Sequence, residues 1–144
     1  MREKANEMDE NKFDRLGPMM GAIGEEATNI VGDPDGLYIY VEIGNQLISA
    51  SVFKEEDGIV RYFDPSSELS DVIWDAWEAE EEDKRWAVME YEVHGTKFSA
   101  KFKFPDEVDV ESFDVDRREE ALKRRYGDKP IVYPPVPEHF MELK

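Results

Sequence analysis

Residues 86–104 read WAVMEYEVHGTKFSAKFKF, and the fold turns on how this run is taken. From Lys97 onward Phe98, Ala100, Phe102 and Phe104 alternate with Lys97, Ser99, Lys101 and Lys103. That two-residue period marks a strand with one dry and one wet face. Before it Ala87, Met89, Tyr91 and Val93 alternate with Val88, Glu90 and Glu92, and His94-Gly95 supplies a turn in which glycine can take a positive φ. The stretch is a β-hairpin. Its wet face sets glutamates of one strand against lysines of the other, which favours this register. Its phenylalanines are expected to face the core, so the hairpin is the scaffold onto which the remaining elements pack.

Working outward toward the N-terminus, Leu69, Val72, Ile73, Ala76 and Trp77 recur at helical spacing after Asp64-Pro65, a pair suited to the N-cap and first-turn positions. Ahead of that helix Leu37, Ile39, Val41 and Ile43 alternate with Tyr38, Tyr40 and Glu42, and a second run carries Ile48, Ala50 and Val52. With turns at Gly44-Asn45 and at residues 55–58, and a third run over 59–63, these make a three-strand meander. The turn-rich Gly32-Asp33-Pro34-Asp35-Gly36 separates it from an amphipathic stripe of Phe13, Leu16, Met19, Met20, Ile23 and Ala27. A helix over 10–26 follows, weakened by Gly17, Gly21 and Gly24, and kinked or started late at Pro18. Residues 1–9 show no period and read as a disordered leader.

Toward the C-terminus, Asp106, Glu107, Asp109, Glu111, Asp114 and Asp116 form an acidic run without a base, which reads as an extended loop. Asp116 can cap a helix over 117–126, with Leu122 and Tyr126 on one face and Gly127 as its stop. Lys123, Arg124 and Arg125 fall in its last turn, where cations suit the helix dipole or internal salt bridges. The proline-rich residues 131–144 read as a tail, with Ile131, Tyr133 and Phe140 available to pin it. The expectation is one α+β domain over residues 10–130. It is a five-stranded, mostly antiparallel sheet with helices packed on one face, in the order α-β-β-β-α-β-β-α.

The charge balance, 18 Lys and Arg against 35 Asp and Glu for a net charge of -17, repels phosphate backbones and anionic membranes. Nucleic-acid and membrane partners are therefore not expected, and a basic protein partner is. With no cysteine, neither disulfides nor thiolate metal sites can form, which fits a cytoplasmic protein. Two histidines, His94 and His139, lack metal-ligand spacing, and the Asp33-Pro34-Asp35-Gly36 turn lacks the later acids of a calcium loop. No nucleophile elbow, P-loop or dinucleotide fingerprint is present, so the expectation is a non-catalytic chain without cofactor or metal. Acid is clustered at two places. Glu78, Glu80, Glu81, Glu82 and Asp83 crowd the end of the Trp77 helix, either as a solvated helix end or as a partner-facing knob. Asp106, Glu107, Asp109 and Glu111 follow the hairpin.

Several words of the sequence go together: Trp86 opening a strand after a charged helix end, Gly95-Thr96-Lys97-Phe98 feeding alternating aromatics, Asp106-Glu107 after that strand, then Arg117, Tyr126-Gly127 and Pro130. In these the chain resembles the YezG-like immunity protein family over residues 36–130. The resemblance implies an intracellular antidote that binds and blocks a cognate toxin domain, often a nuclease; apart from it, the chain is expected to be a monomer or weak homodimer. It does not locate the interface; the two acidic clusters are the expected binding residues because a phosphate-holding active site is basic. The alternative is an acidic adaptor or regulator of another cytoplasmic protein.

Overall fold

The computed structural model describes residues 2–44, 47–108 and 114–134, with side chains over 17–44, 47–108 and 116–134. Strands β1 (Leu37–Gly44), β2 (Leu47–Glu56) and β3 (Ile59–Phe63) form the meander, and β4 (Val88–His94) and β5 (Lys97–Lys103) the hairpin. A short β6 (Ile131–Val132) adds to β3 in parallel, so the sheet runs β5-β4-β1-β2-β3-β6. With helices α1 (Arg2–Val31), α2 (Ser67–Glu78) and α3 (Asp114–Tyr126) the fold is α+β. The expected tail thus begins with a strand: Ile131 lies opposite Val60, Val60 N–H donates to Pro130 O (2.9 Å), and Tyr133 packs on Tyr62. Phe140 lies outside the described residues, as does most of the Gly44-Asn45 turn.

The organising strand is β1, because both of its faces are covered. Ile39, Val41 and Ile43 meet Met20, Ile23 and Ala27 of α1 and Leu69, Ile73 and Ala76 of α2. Tyr38 and Tyr40 point the other way, into a second core with Phe53, Val60, Val88 and the α3 residues Ala121, Leu122 and Tyr126. The helices therefore lie on both faces, α1 and α2 on one and α3 on the other. Tyrosines, Phe53 and Val88 at alternate positions leave too much apolar area on the second face for water to cover it.

The hairpin sits at the edge instead of the centre. Phe98 is 41% exposed and stacks on Tyr91 (centroids 5.6 Å apart), while Phe102 and Phe104 are half-buried, Phe102 lying beside Trp86. An edge strand has a neighbour on one side only, so its dry face is covered only in part. The two-residue turn is Gly95-Thr96, one position later than expected, with Gly95 at φ +64° and His94 opposite Lys97. Its Gly95 N–H donates to Asp35 Oδ1 (2.8 Å), and Lys54, buried, donates to the carbonyls of Asp33 and Asp35. The Asp33-to-Gly36 turn is thus a clip between β1, β2 and the hairpin, with its carbonyls taken by an ammonium.

Three helix boundaries differ from expectation. Helix α1 starts at Arg2 and continues through Pro18 to Val31, because Met20, Ile23 and Ala27 are fully buried and tertiary packing offsets the weak propensity. Helix α2 is capped by Ser66, whose Oγ accepts from Leu69 N–H (3.1 Å), not by Asp64. Helix α3 begins at Asp114 and stops at Gly127 (φ +62°), whose N–H donates to Lys123 O. No described helix is long and apolar enough to cross a membrane.

Candidate functional site

Polar chemistry concentrates where α3 crosses the sheet. The antiparallel register of β1 and β4 sets Tyr38 opposite Glu92, Tyr40 opposite Glu90 and Glu42 opposite Val88, which puts two tyrosines and three glutamates on one face. Helix α3 answers with Arg117, Ala121 and Arg124, spaced four and three residues apart on one side, and Arg125 beside them. Arg117 forks onto Glu42, Nε to Oε2 at 3.0 Å and Nη2 to Oε1 at 2.8 Å, while Tyr40 donates to the same carboxylate at 2.7 Å. Tyr38 donates to Glu90 at 2.6 Å, and Arg124 approaches the other Glu90 oxygen at 3.6 Å. Arg125 pairs with Glu92 and lies over the Tyr38 ring, 4.4 Å from its centroid; Ser99 and His94 also reach Glu92, at 3.3 Å and 3.4 Å. The basic last turn of α3 therefore serves internal salt bridges.

The titration of these groups follows from their surroundings. Burial pushes the hydroxyls of Tyr38 and Tyr40 far above the ordinary tyrosine value, and their hydrogen bonds to Glu90 and Glu42 push further in the same direction. For Glu92 burial acts upward, but the hydrogen bond and charge of Arg125, helped by His94, hold its carboxyl below the usual range. Arginine and tyrosine donors on strand carboxylates make charge-assisted hydrogen bonds, and this network orders a helix. Beside it a cleft of about 210 Å³ lies between α3 and the β4–β5 hairpin, walled by Glu90, Glu120, Lys103, Arg117 and Arg124. Its mixed charge selects no ligand class. Among the described residues no cluster of His, Asp and Glu could hold a metal ion.

The expected acidic residues fall into three groups. Glu78 ends α2, and Glu81, Glu82 and Asp83 are exposed in the turn after it, with Lys84 3.2 Å from Glu81. Glu80, by contrast, is only 5% exposed, so it is withdrawn from the surface a partner could touch. Asp106 and Glu107 are exposed in a single helical turn, Pro105–Glu107, and Glu107 Oε1 accepts from Phe104 N–H (2.9 Å). Asp109 and Glu111 lie outside the described residues.

The described parts of the two clusters lie on the chain segments that flank one end of the hairpin. Ala87 N–H donates to Lys103 O (2.7 Å) and Val88 lies opposite Lys103, so the segment entering the hairpin and the one leaving it share its open end. Sequence reasoning missed the triad of Glu42, Glu90 and Glu92. Its signal was present: acids and tyrosines alternating on the same strand faces, with arginines at helical spacing to meet them. No protein-family model matches this chain, and no curated protein matches it either.

Proposed function

We propose that the chain is a non-catalytic binding protein that neutralises a basic protein partner, in the manner of an intracellular immunity protein covering a cognate toxin domain of the nuclease kind. The observation that supports this reading is the shared open end of the β4–β5 hairpin. There exposed Glu78, Glu81, Glu82 and Asp83 arrive and exposed Asp106 and Glu107 depart, in a chain of net charge -17. A basic active site built to hold phosphates meets complementary potential at such an end, which raises encounter rates by about 10- to 1000-fold at low salt.

Two measurements test the reading. Co-expression with the toxin-like product of the neighbouring reading frame is expected to restore growth and yield a complex; absence of both for every neighbour overturns it, and binding without rescue favours an adaptor. Reversing Glu81, Glu82 and Asp83 to lysine is expected to slow association at least about tenfold and flatten its salt dependence. An unchanged rate removes this end from the interface.

A further inference from the structure

The β5 edge combines open backbone with unpaired cations. Ile43 N–H donates to Ala87 O (3.0 Å), which turns the backbone groups of the odd-numbered β4 residues toward β1 and those of Val88, Glu90, Glu92 and His94 toward β5. Their partners on β5 are Lys103, Lys101, Ser99 and Lys97, whose backbone groups turn inward. The N–H and C=O of Phe98 and Ala100 consequently point away from the sheet, and among the described residues β5 pairs with β4 alone. At the far end the outward N–H of Phe104 is closed by Glu107.

The side chains add a charge. Lys97, Lys101 and Lys103 are exposed on one face of β5. Lys101 lies opposite Glu90, but that carboxylate is taken by Tyr38 and Arg124, and Glu92 by Arg125. The cross-strand partners that the sequence offers these lysines are thus spent on α3. Among the described residues the three lysines make no ion pair, in a protein with an excess of acid.

We propose that the β5 edge is a docking site for an extended acidic segment of another protein, which adds as a strand along Phe98 and Ala100 and sets alternate carboxylates against Lys97, Lys101 and Lys103. Strand addition draws affinity from main-chain hydrogen bonds and specificity from alternate side chains. Here the specificity is electrostatic. A second copy of β5 brings lysine toward lysine and is refused, as edge lysines commonly ensure, whereas carboxylates relieve the same repulsion. The site runs along the β5 edge from the turn and meets, at Lys103, the acidic end proposed for a basic partner.

The test uses the full chain and two synthetic nonapeptides with blocked ends, one alternating Glu and Val, the other Lys and Val. The acidic peptide is expected to bind, to slow amide exchange at Phe98 and Ala100, and to leave β3 amides unaffected; the basic peptide is expected to do neither. Replacing Lys97, Lys101 and Lys103 together by glutamine should weaken binding about tenfold, the sum of three surface ion pairs. Ala100→Pro, which removes an outward N–H and so suits an edge strand, should abolish protection with the far-UV spectrum unchanged. Equal protection by both peptides, binding without protection at Phe98 and Ala100, or no binding at all would each overturn the proposal. In the last case the lysines serve only to keep the edge from pairing.

Discussion

At Gly24 the backbone of α1 approaches the sheet more closely than a side chain permits. A Cβ built there would stand 2.7 Å from Tyr91 Oη, and that hydroxyl is fixed by donating to Met20 O (2.9 Å) one turn earlier in the same helix. Two effects of Gly24→Ala oppose one another: alanine gains roughly 1 kcal/mol of helix propensity, and overpacking against a held ring costs about 1–3 kcal/mol. The clash should win, giving a net loss of about 1 kcal/mol in urea unfolding. In a Tyr91→Phe background the obstacle is gone, so the same substitution is expected to be neutral or stabilising. Additivity of the two changes would show that the helix shifts freely and that the contact is not a constraint.

Helix α3 is held differently from α1 and α2. Among the described residues its apolar contribution is Ala121, Leu122 and Tyr126, and the polar part of its docking is arginine on glutamate, with Arg118 also donating to Ser51. Exposure decides which arginine matters. Arg117 and Glu42 are 22% and 13% exposed with forked geometry, whereas Arg124 is 56% exposed at 3.6 Å from Glu90. Arg117→Ala should therefore cost about 2 kcal/mol, by stranding a half-buried carboxylate, and Arg124→Ala less than about 1 kcal/mol. Thermal unfolding of the two variants checks the order, and equal losses would contradict it. The same contrast explains what the sequence could reveal. The strands were legible because a two-residue period survives any arrangement of neighbours, as in Leu37 to Ile43 and in the hairpin. The side on which α3 packs was not, since Tyr38 and Tyr40 read equally well as a wet face until Leu122 and Tyr126 are known to cover them. Likewise Phe98 carries the dry-face pattern, and only strand order reveals that it lies on an edge. The acidic clusters were visible as composition, but the burial of Glu80 depends on how the turn after α2 folds back.

Across the molecule as a whole, the buried hydroxyls set an alkaline limit. Burial raises Tyr38, Tyr40, Tyr91 and Tyr126 above the ordinary value of 10.0, with Tyr91 pushed up to about 12. A proton held more tightly in the folded chain favours that chain fully below pH 10 and progressively less above it, as the unfolded tyrosines ionise first. The urea midpoint is expected to fall between pH 9.5 and pH 11.5, roughly spanning the unfolded value and the Tyr91 value, in step with tyrosinate absorbance; an unchanged midpoint would mean that the hydroxyls are not buried. The two rims of the sheet also have unequal guards. One is protected by lysines that any carboxylate can silence, the other by β6, two residues of its own chain laid against Val60 and Arg61. Proteolytic clipping just after Gly127 would leave both cores almost intact and still bare the Val60 N–H, turning a finished margin into a template for aggregation.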